Sequence, residues 1–231
     1  MNFLATDIKL LITDVDGVLT DGGIFIGPDG IEFKRFSVFD GVGVAIAKAA
    51  GLKIAFISAR YSAATESRAK ELKIDEIYNG SLNKLPVYDE LKTKYNLSDN
   101  NIAYIGDDLI DLAVMKKVAC PIAVNNAIDA VKEVSIFITK SSGGEGAFRD
   151  AVEWIVSQQG CMKEVLKKME DHVLSSWIMR YVIIVMTFFF THCNSTDEIT
   201  SNSRLGKPDQ ESWGVTILLT DEGLIKAKIR S

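Results

Sequence analysis

The chain has 231 residues, a net charge of −5, and 26 lysines and arginines that are scattered along its length. This length predicts one domain of ordinary size with room for an appendage, and the lack of a basic stripe argues against nucleic acid as a partner. The three cysteines, Cys120, Cys161 and Cys193, are spaced for neither a disulfide framework nor a metal-ligand pair, which is typical of a reducing compartment. We expect no secretory signal at the start of the chain, and therefore a cytoplasmic main domain.

Apolar runs alternate with segments of helical period in the first 160 residues, which predicts an α/β fold with a doubly wound parallel sheet. The predicted strands are Ile8–Asp14, Ile54–Ser58, Ile102–Gly106, Pro121–Val124 and Ile136–Ile138. The predicted helices are Val42–Ala50, Ser62–Leu72, Lys84–Tyr95, Leu109–Lys117, Ala127–Val134 and Ala147–Gln159. A Pro-Asp-Gly turn at residues 28–30 predicts a small β-hairpin flap over 24–36, in place of a large cap domain.

The composition changes after Gly160, where we predict a boundary between a domain over 1–160 and an extension over 161–231. The extension holds a hydrophobic run over 177–193, which is at the short limit of the about 17–25 residues that span a bilayer. Basic residues before this run and acidic residues after it predict an inner-membrane anchor with the main domain inside. A buried amphipathic helix is the alternative. A short β-hairpin is predicted over 208–231.

Two aspartates, Asp14 and Asp16, directly follow the first apolar run. Side chains alternate with a period of two on an extended segment, so both carboxylates point the same way, and Gly17 lets the chain turn behind them. Two acids in one small space suit a nucleophilic carboxylate beside a proton donor and acceptor, with a divalent cation that keeps the first acid ionised. A strand-end Asx turn would explain either aspartate alone.

More polar residues follow the other predicted strands or begin the helices between them. They are Ser58, Lys84, Asp107, Asp108 and Asp111. Ligands of open α/β sheets collect beyond the carboxyl ends of the strands, so we expect these side chains to meet there. Together with the two aspartates of the first strand they form the set that metal-assisted phosphoryl transfer requires. Each has a plainer interpretation as a helix cap, a solvated charge or a turn residue, but the combination favours a site.

Several other chemistries lack the residues they need. The chain has only two histidines, His172 and His192, and both lie beyond the predicted domain, which argues against Ser-His-Asp, phosphohistidine and His-ligated metal mechanisms. A cysteine phosphatase needs an arginine six residues after its cysteine, whereas Asn126 stands at that distance from Cys120. No G-x-x-x-x-G-K-[ST] loop for nucleotide phosphates occurs.

At these residues the chain resembles the haloacid dehalogenase superfamily of phosphatases, over about residues 7–159. The matching signature is the run 14–20, Ser58, Lys84 and Gly106-Asp107-Asp108. The flap, the runs 57–60 and 79–84 and the glycine-rich run 143–150 are similar to the branch of 3-deoxy-D-manno-octulosonate 8-phosphate phosphatases. Ala59 and Asp150 depart from that branch, in which glycine and glutamate are usual, but neither departure removes a catalytic group. The resemblance implies a Rossmann-like fold.

The resemblance also implies a role for four residues in the reaction. Asp14 would attack the phosphorus atom and form an aspartyl-phosphate. Asp16 would protonate the leaving sugar oxygen and later activate water. Ser58 and Lys84 would hold the phosphoryl oxygens, where the site must stabilise charge.

Mg²⁺ is the cofactor that the resemblance implies. It would be bound by the carboxylate of Asp14, the carbonyl oxygen of Asp16 and the carboxylate of Asp107. Asp108 and Asp111 would lie close by or orient these ligands.

Three arginines are candidates for substrate binding, because planar guanidinium groups suit the carboxylate of a sugar acid. Arg60 and Arg68 would lie on one side of the helix that follows Ser58, and an arginine at 60 favours the eight-carbon substrate over a nine-carbon ulosonate 9-phosphate. The family forms homotetramers, in which Arg149 would contact the substrate or a neighbouring subunit. The plainer interpretation is a solvated helix face for Arg68 and an exposed arginine at a helix N-terminus for Arg149.

The run 208–231, together with the hydrophobic run before it, is similar to the opening of the membrane-anchored C component of lipopolysaccharide export, of which it would be a truncated copy. An export or interaction protein that carries the phosphatase fold as a passenger is therefore an alternative. The intact acids Asp14, Asp16 and Asp107 favour the enzyme.

Overall fold

The computed structural model describes residues 5–175, 214–219 and 225–230. In the first of these ranges the strands are β1 (Leu10–Thr13), β2 (Phe25–Ile26), β3 (Glu32–Phe33), β4 (Lys53–Ser58), β5 (Glu76–Asn79), β6 (Ile102–Gly106), β7 (Cys120–Ala123) and β8 (Phe137–Ile138). The helices are α1 (Val38–Ala49), α2 (Ala63–Glu71), α3 (Lys84–Lys94), α4 (Leu112–Met115), α5 (Asp129–Val134), α6 (Ala147–Gln158) and α7, described over 162–175. The predicted α/β class is confirmed.

The central sheet has the strand order β5-β4-β1-β6-β7-β8, and all neighbouring strands are parallel. Every residue of β1 and β6 is buried, as expected for parallel strands that helices cover on both faces. The strand order reverses beside β1, because β4 lies on one side of it and β6 on the other. This is the position at which doubly wound sheets bind ligands.

The sequence prediction missed β5 and misplaced two helix ends. β5 is an edge strand whose four residues are all half-buried, so it lacks the apolar run that marked the central strands. Helix α1 begins at Val38, four residues before the prediction, because the Ser37 side chain accepts a hydrogen bond from the Phe39 amide and caps it. The predicted helix Leu109–Lys117 is a 3₁₀ turn followed by the short α4.

The predicted flap is present as the antiparallel pair of β2 and β3. Its tip contains Asp29 and Gly30 with positive φ angles of 61° and 76°, a conformation that suits the Asp-Gly pair of this turn. Apolar flap side chains such as Phe25 and Phe33 are exposed, at 62% and 59%. The flap therefore presents an apolar surface, and no large cap domain is inserted here.

The glycine-rich run packs tightly against the chain behind Asp16. A Cβ atom on Gly143 would lie 1.8 Å from the carbonyl oxygen of Gly17, and one on Gly144 would lie 2.6 Å from the amide nitrogen of Asp21. Only glycine allows two backbones to approach so closely. The run thus supports the turn that follows the two aspartates.

The chain divides into two compact units, Met1–Arg180 and Tyr181–Ser231. Helix α7 continues the first unit, since Val165 is buried against its core. The division into 1–160 and 161–231 stays a prediction. In the second unit, strands β9 (Gly214–Leu219) and β10 (Ile225–Arg230) pair antiparallel, within the range of the predicted hairpin.

The predicted anchor over 177–193, and the buried helix that was its alternative, lie outside the described residues. Within the described parts of the chain, no helix combines the length and the apolar character that a bilayer span needs. The likeness of 208–231 to an export component stays a prediction.

Candidate active site

The predicted site residues that follow strands meet at the carboxyl edge of the sheet. Asp14 directly follows β1, and its amide donates to the carbonyl oxygen of Ile105 in β6. Ser58 ends the neighbouring strand β4, and Asp107 follows β6. The parallel register brings these three ends together, as the sequence predicted.

Lys84 lies between two buried carboxylates. Its ammonium nitrogen is 2.9 Å from Oδ1 of Asp14 and 2.7 Å from Oδ1 of Asp111, and all three side chains are almost fully buried. Asn83 caps α3 at this point, because its side chain accepts a hydrogen bond from the Leu85 amide. One ammonium group therefore faces two carboxylates, which leaves the cluster with an excess of negative charge.

Asp111 uses all of its acceptor capacity within the protein. Its Oδ1 accepts from Lys84 and from the Tyr104 hydroxyl, at 2.7 and 2.6 Å, and its Oδ2 accepts from the amides of Asp107 and Asp108, at 3.0 and 3.3 Å. A carboxylate has about four lone-pair sites. Asp111 thus orients Lys84 and the loop after β6.

The acidic group at this edge of the sheet fits a divalent cation. One carboxylate oxygen from each of Asp14, Asp107 and Asp111 lies within 4.8 Å of the others, and Oδ1 of Asp107 is buried with no hydrogen-bond partner among the described residues. Burial raises the pKa of Asp14 to about 7. Burial, followed by the charge of Asp14, raises the pKa of Asp107 to about 8. Carboxylate oxygens are ligands that Mg²⁺ prefers.

Asp108 differs from its neighbour Asp107. It is exposed, and its Oδ1 accepts a hydrogen bond from the Leu109 amide, so that it caps the following turn. The tight acidic group does not include it. In this structure its carboxylate is a cap beside the site.

The side chain of Asp16 contacts the flap. Its Oδ1 accepts from the ammonium nitrogen of Lys34 at 2.5 Å. Lys34 was not among the predicted site residues. The available signal was the alternation after the flap turn, which puts Lys34 and Glu32 on one face of the extended chain.

Ser58 is buried, and its backbone carbonyl accepts from the amides of Gly80 and Ser81. Its hydroxyl donates to the Arg60 carbonyl at 2.7 Å. Ser58 therefore joins the end of β4 to the loop that leads to Lys84.

Of the three arginines, the structure brings two to the flap. Arg60 forms an ion pair with Glu32 in β3. Arg68 donates to the carbonyl oxygen of Ser37, just before α1, and to Glu71. Arg60 thus shares the partner Glu32 with Lys34, whereas Arg68 contacts the segment between the flap and α1.

Arg149 lies elsewhere in the described chain. Its Nε donates to Glu153 at 2.6 Å, and it lines a cleft of about 580 Å³ with Phe137 and Trp154. None of the other predicted site residues lines this cleft. Within one subunit, Arg149 is not part of the site.

The fold and the site together define a haloacid dehalogenase-like hydrolase: a parallel sheet whose central strand ends in Asp-x-Asp, with a buried lysine and a second acidic loop beside it. A family model described as haloacid dehalogenase-like hydrolase matches residues 52–149. The 3-deoxy-D-manno-octulosonate 8-phosphate phosphatase KdsC of Escherichia coli K12 is 39% identical over 160 residues, which are 69% of this chain and 85% of the relative. The chain belongs to this phosphatase family.

The solved structures to which the chain is similar include one phosphatase of this kind and one hydrolase of the superfamily. The 3-deoxy-D-manno-octulosonate 8-phosphate phosphatase of Moraxella catarrhalis, in complex with magnesium ion, phosphate ion and KDO, is 38% identical with a TM-score of 0.69, and the match covers 71% of this chain and 95% of that one. A putative HAD superfamily (subfamily III A) hydrolase from Legionella pneumophila is 38% identical with a TM-score of 0.70, and the match covers 72% and 92% of the two chains.

Proposed function

We propose that this protein is a Mg²⁺-dependent phosphatase that hydrolyses 3-deoxy-D-manno-octulosonate 8-phosphate to the free sugar acid and phosphate, a step of lipopolysaccharide biosynthesis. The observation that carries the proposal is the buried group of Asp14, Lys84 and Asp107. It combines a nucleophilic carboxylate, a fixed cation and a carboxylate oxygen that has no hydrogen-bond partner in the described part of the chain. The identity to KdsC relatives supports the choice of substrate.

In the proposed reaction, Oδ of Asp14 attacks the phosphorus atom and forms an aspartyl-phosphate. The carboxyl group of Asp16 protonates the sugar oxygen that leaves, and afterwards takes a proton from the water that hydrolyses the intermediate. Lys84 and Ser58 hold the phosphoryl oxygens.

Mg²⁺ would be held by the carboxylates of Asp14 and Asp107 and by the carbonyl oxygen of Asp16. When bound, it would neutralise charge on the transferred phosphoryl group and keep both carboxylates ionised. The cluster has one cation for its carboxylates, so this additional charge fits the site.

A panel of sugar phosphates, assayed with Mg²⁺ on the full chain, tests this function. We expect the highest kcat/KM for 3-deoxy-D-manno-octulosonate 8-phosphate, with Arg60 and Arg68 at the flap to receive the sugar carboxylate. A tenfold or greater preference for a nine-carbon ulosonate 9-phosphate would overturn the choice of substrate. Absence of phosphate release from every substrate would overturn the proposed enzymatic activity and favour an interaction protein.

We further propose a homotetramer. The flap exposes Phe25, Ile26 and Phe33, and the start of α1 beside it exposes Val38 and Phe39. Contiguous apolar surface of this kind favours subunit contact, and a neighbour could close the site against water. Light scattering should give four times the chain mass, and Phe25→Asp should lower it; a monomer at micromolar concentration would contradict the proposal.

For localisation, we propose a cytoplasmic catalytic domain held at the inner membrane by residues 177–193. The support is the apolar stretch that follows Arg180, with cations before it and acids after it. Full-length protein should stay with membranes after a carbonate wash. The variant Ile184→Arg should reduce this retention, because arginine at the bilayer centre costs about 2.5–3.5 kcal/mol. Full recovery of the unaltered chain in the soluble fraction would refute the anchor.

A further inference from the structure

Lys34 is a completely buried lysine at the base of the flap. Its side chain has an exposure of 0%, and its ammonium nitrogen is 2.5 Å from Oδ1 of Asp16, 3.3 Å from Oγ1 of Thr65 and 3.6 Å from Oε1 of Glu32. Lysine is almost never fully buried unless it is paired. Its position therefore depends on these three oxygens, one of which belongs to Asp16.

The Asp16 carboxylate, in turn, depends on Lys34. Its side chain is 27% exposed, and within the described part of the chain Lys34 is the one hydrogen-bond donor to it. The direction in which the Asp16 carboxyl group points is thus set from the flap.

The flap residues that hold Lys34 are fixed in their turn. Glu32 accepts a hydrogen bond from the Ser62 hydroxyl at 2.7 Å through Oε1, and pairs with Arg60 through Oε2. Thr65 lies in α2, whose N-terminus Ser62 caps. Lys34 is therefore anchored to a strand and to a helix at once, which makes it a rigid support for Asp16.

We propose that Lys34 is a positioning residue for Asp16, and that it holds the carboxyl group where it meets the leaving oxygen of the substrate. This inference rests on the proposed phosphatase function. As the bond between Asp14 and phosphorus forms, the bond between phosphorus and the ester oxygen breaks, and the Asp16 proton passes to that oxygen. Lys34 itself exchanges no proton and contacts no reacting atom.

Leaving-group dependence separates this role from a structural one. An alkyl phosphate such as a sugar phosphate releases a strongly basic oxygen and needs the proton from Asp16. p-Nitrophenyl phosphate releases a stable anion and needs it far less. kcat/KM reports every step up to departure of the leaving group, so the ratio of kcat/KM for the two substrates measures general-acid delivery.

We would measure this ratio for the full chain and for Lys34→Met, Lys34→Gln and Lys34→Arg, with Asp16→Asn as the reference. General-acid catalysis contributes about 10²–10⁴-fold, so we expect the two neutral variants to lower the ratio by about tenfold or more, in the direction of Asp16→Asn. Lys34→Arg should recover most of the ratio because it keeps the cation. Arg35→Met, which removes the adjacent exposed cation and does not touch Asp16, should leave the ratio unchanged.

An equal loss of kcat/KM for both substrates would show that Lys34 only supports the flap, and an unchanged kcat/KM for both would show that it has no role; either result overturns the inference. The two neutral variants differ in polarity, so that one remains measurable if the other fails to fold. Any alkyl phosphate that the unaltered protein hydrolyses serves for the ratio. An incorrect substrate assignment would appear in the substrate panel, and a wrong inference would appear only in the ratio.

Discussion

The ammonium nitrogen of Lys84 lies 2.9 Å from Oδ1 of Asp14, and both side chains are almost fully buried. The two residues are seventy positions apart in sequence (84 − 14) and come from the end of the central strand and the start of α3. Because Asp111 contacts the same ammonium group, Lys84 balances only part of the negative charge. Lys84 therefore affects both the stability of the buried carboxylates and the charge on the proposed nucleophile, Asp14.

Asp14→Asn should abolish turnover and leave the fold intact. The amide has nearly the shape of the carboxylate but cannot attack phosphorus, so we expect kcat to fall by at least about a thousandfold. Phosphate release with saturating substrate measures the loss, and circular dichroism verifies the fold. Asp108→Asn, at an exposed cap beside the site, is the control and should retain far more activity. Undiminished hydrolysis by Asp14→Asn would remove the proposed nucleophile.

Lys84→Met should destabilise the protein, because it leaves two buried carboxylates without their cation. Breaking a buried ion pair from one side costs about 3–5 kcal/mol, and urea unfolding at pH 8 should show a loss of that size. Lys92→Met removes a partly exposed partner of Asp99 and should cost about 1 kcal/mol or less. Similar losses in the two variants would contradict the burial argument.

Mg²⁺ should bind more tightly as the pH rises through about 7 to 8. The pKa of Asp14 is about 7 and that of Asp107 about 8, each raised mainly by burial, and both carboxylates must lose their protons to bind the cation. Between pH 8.5 and 6.5 the apparent Kd should weaken by about tenfold or more. Calorimetry in two buffers of different ionisation enthalpy would detect the released protons. Removal of Mg²⁺ by a chelator should stop turnover reversibly; pH-independent binding would refute the assignment.

Ionisation of buried Asp40 should lower the free energy of unfolding as the pH rises. It is buried at the start of α1, its Oδ1 accepts from the Arg149 amide, and its Oδ2 has no partner among the described residues. Burial raises its pKa from 3.8 to about 6. The folded state therefore holds the proton more tightly than the unfolded state, and the benefit is lost between about pH 4 and 6. About two pKa units correspond to at most about 3 kcal/mol.

The variant Asp40→Asn isolates this effect, since it stays neutral at every pH. The difference in unfolding free energy between the unaltered protein and Asp40→Asn should shift by up to about 3 kcal/mol in favour of the variant from pH 4 to pH 7. Asp29→Asn, at the exposed flap tip, is the matched control and should show no such shift. A pH-independent difference for Asp40→Asn would contradict the prediction.

Gly143→Ala should displace the glycine-rich run from the turn behind Asp16. The new Cβ would lie 1.8 Å from the Gly17 carbonyl oxygen, a backbone atom that cannot rotate away. We expect a stability loss of about 1–3 kcal/mol and a fall in kcat. For Gly23→Ala the nearest atom is Oδ1 of Asp21 at 3.0 Å, at the end of a side chain that can move. This variant should therefore change stability little, and thermal unfolding of the two compares them directly.

Sequence pattern alone indicated the α/β class and the strand ends that carry Asp14, Ser58 and Asp107. An apolar run predicts a buried parallel strand because burial on both faces requires apolar residues throughout, and ligands collect at the carboxyl ends of such strands. Edge strand β5 is half-buried, so its residues carry no such pattern and it was missed. Helix α1 begins earlier than its apolar pattern indicated, because the Ser37 side chain caps it.

Only the tertiary structure decided which side chains meet. The resemblance placed Asp111 close to the metal or in an orienting role, and the structure shows the contacts with Lys84 and Tyr104 that hold its carboxylate. Lys34 of the flap contacts Asp16, and Arg149 lines a separate cleft. The local sequence indicates the hydrophobic pattern of its own segment, and so which of its residues are buried. Pairing between segments depends on how helices and loops pack on the sheet, and no local pattern contains that information.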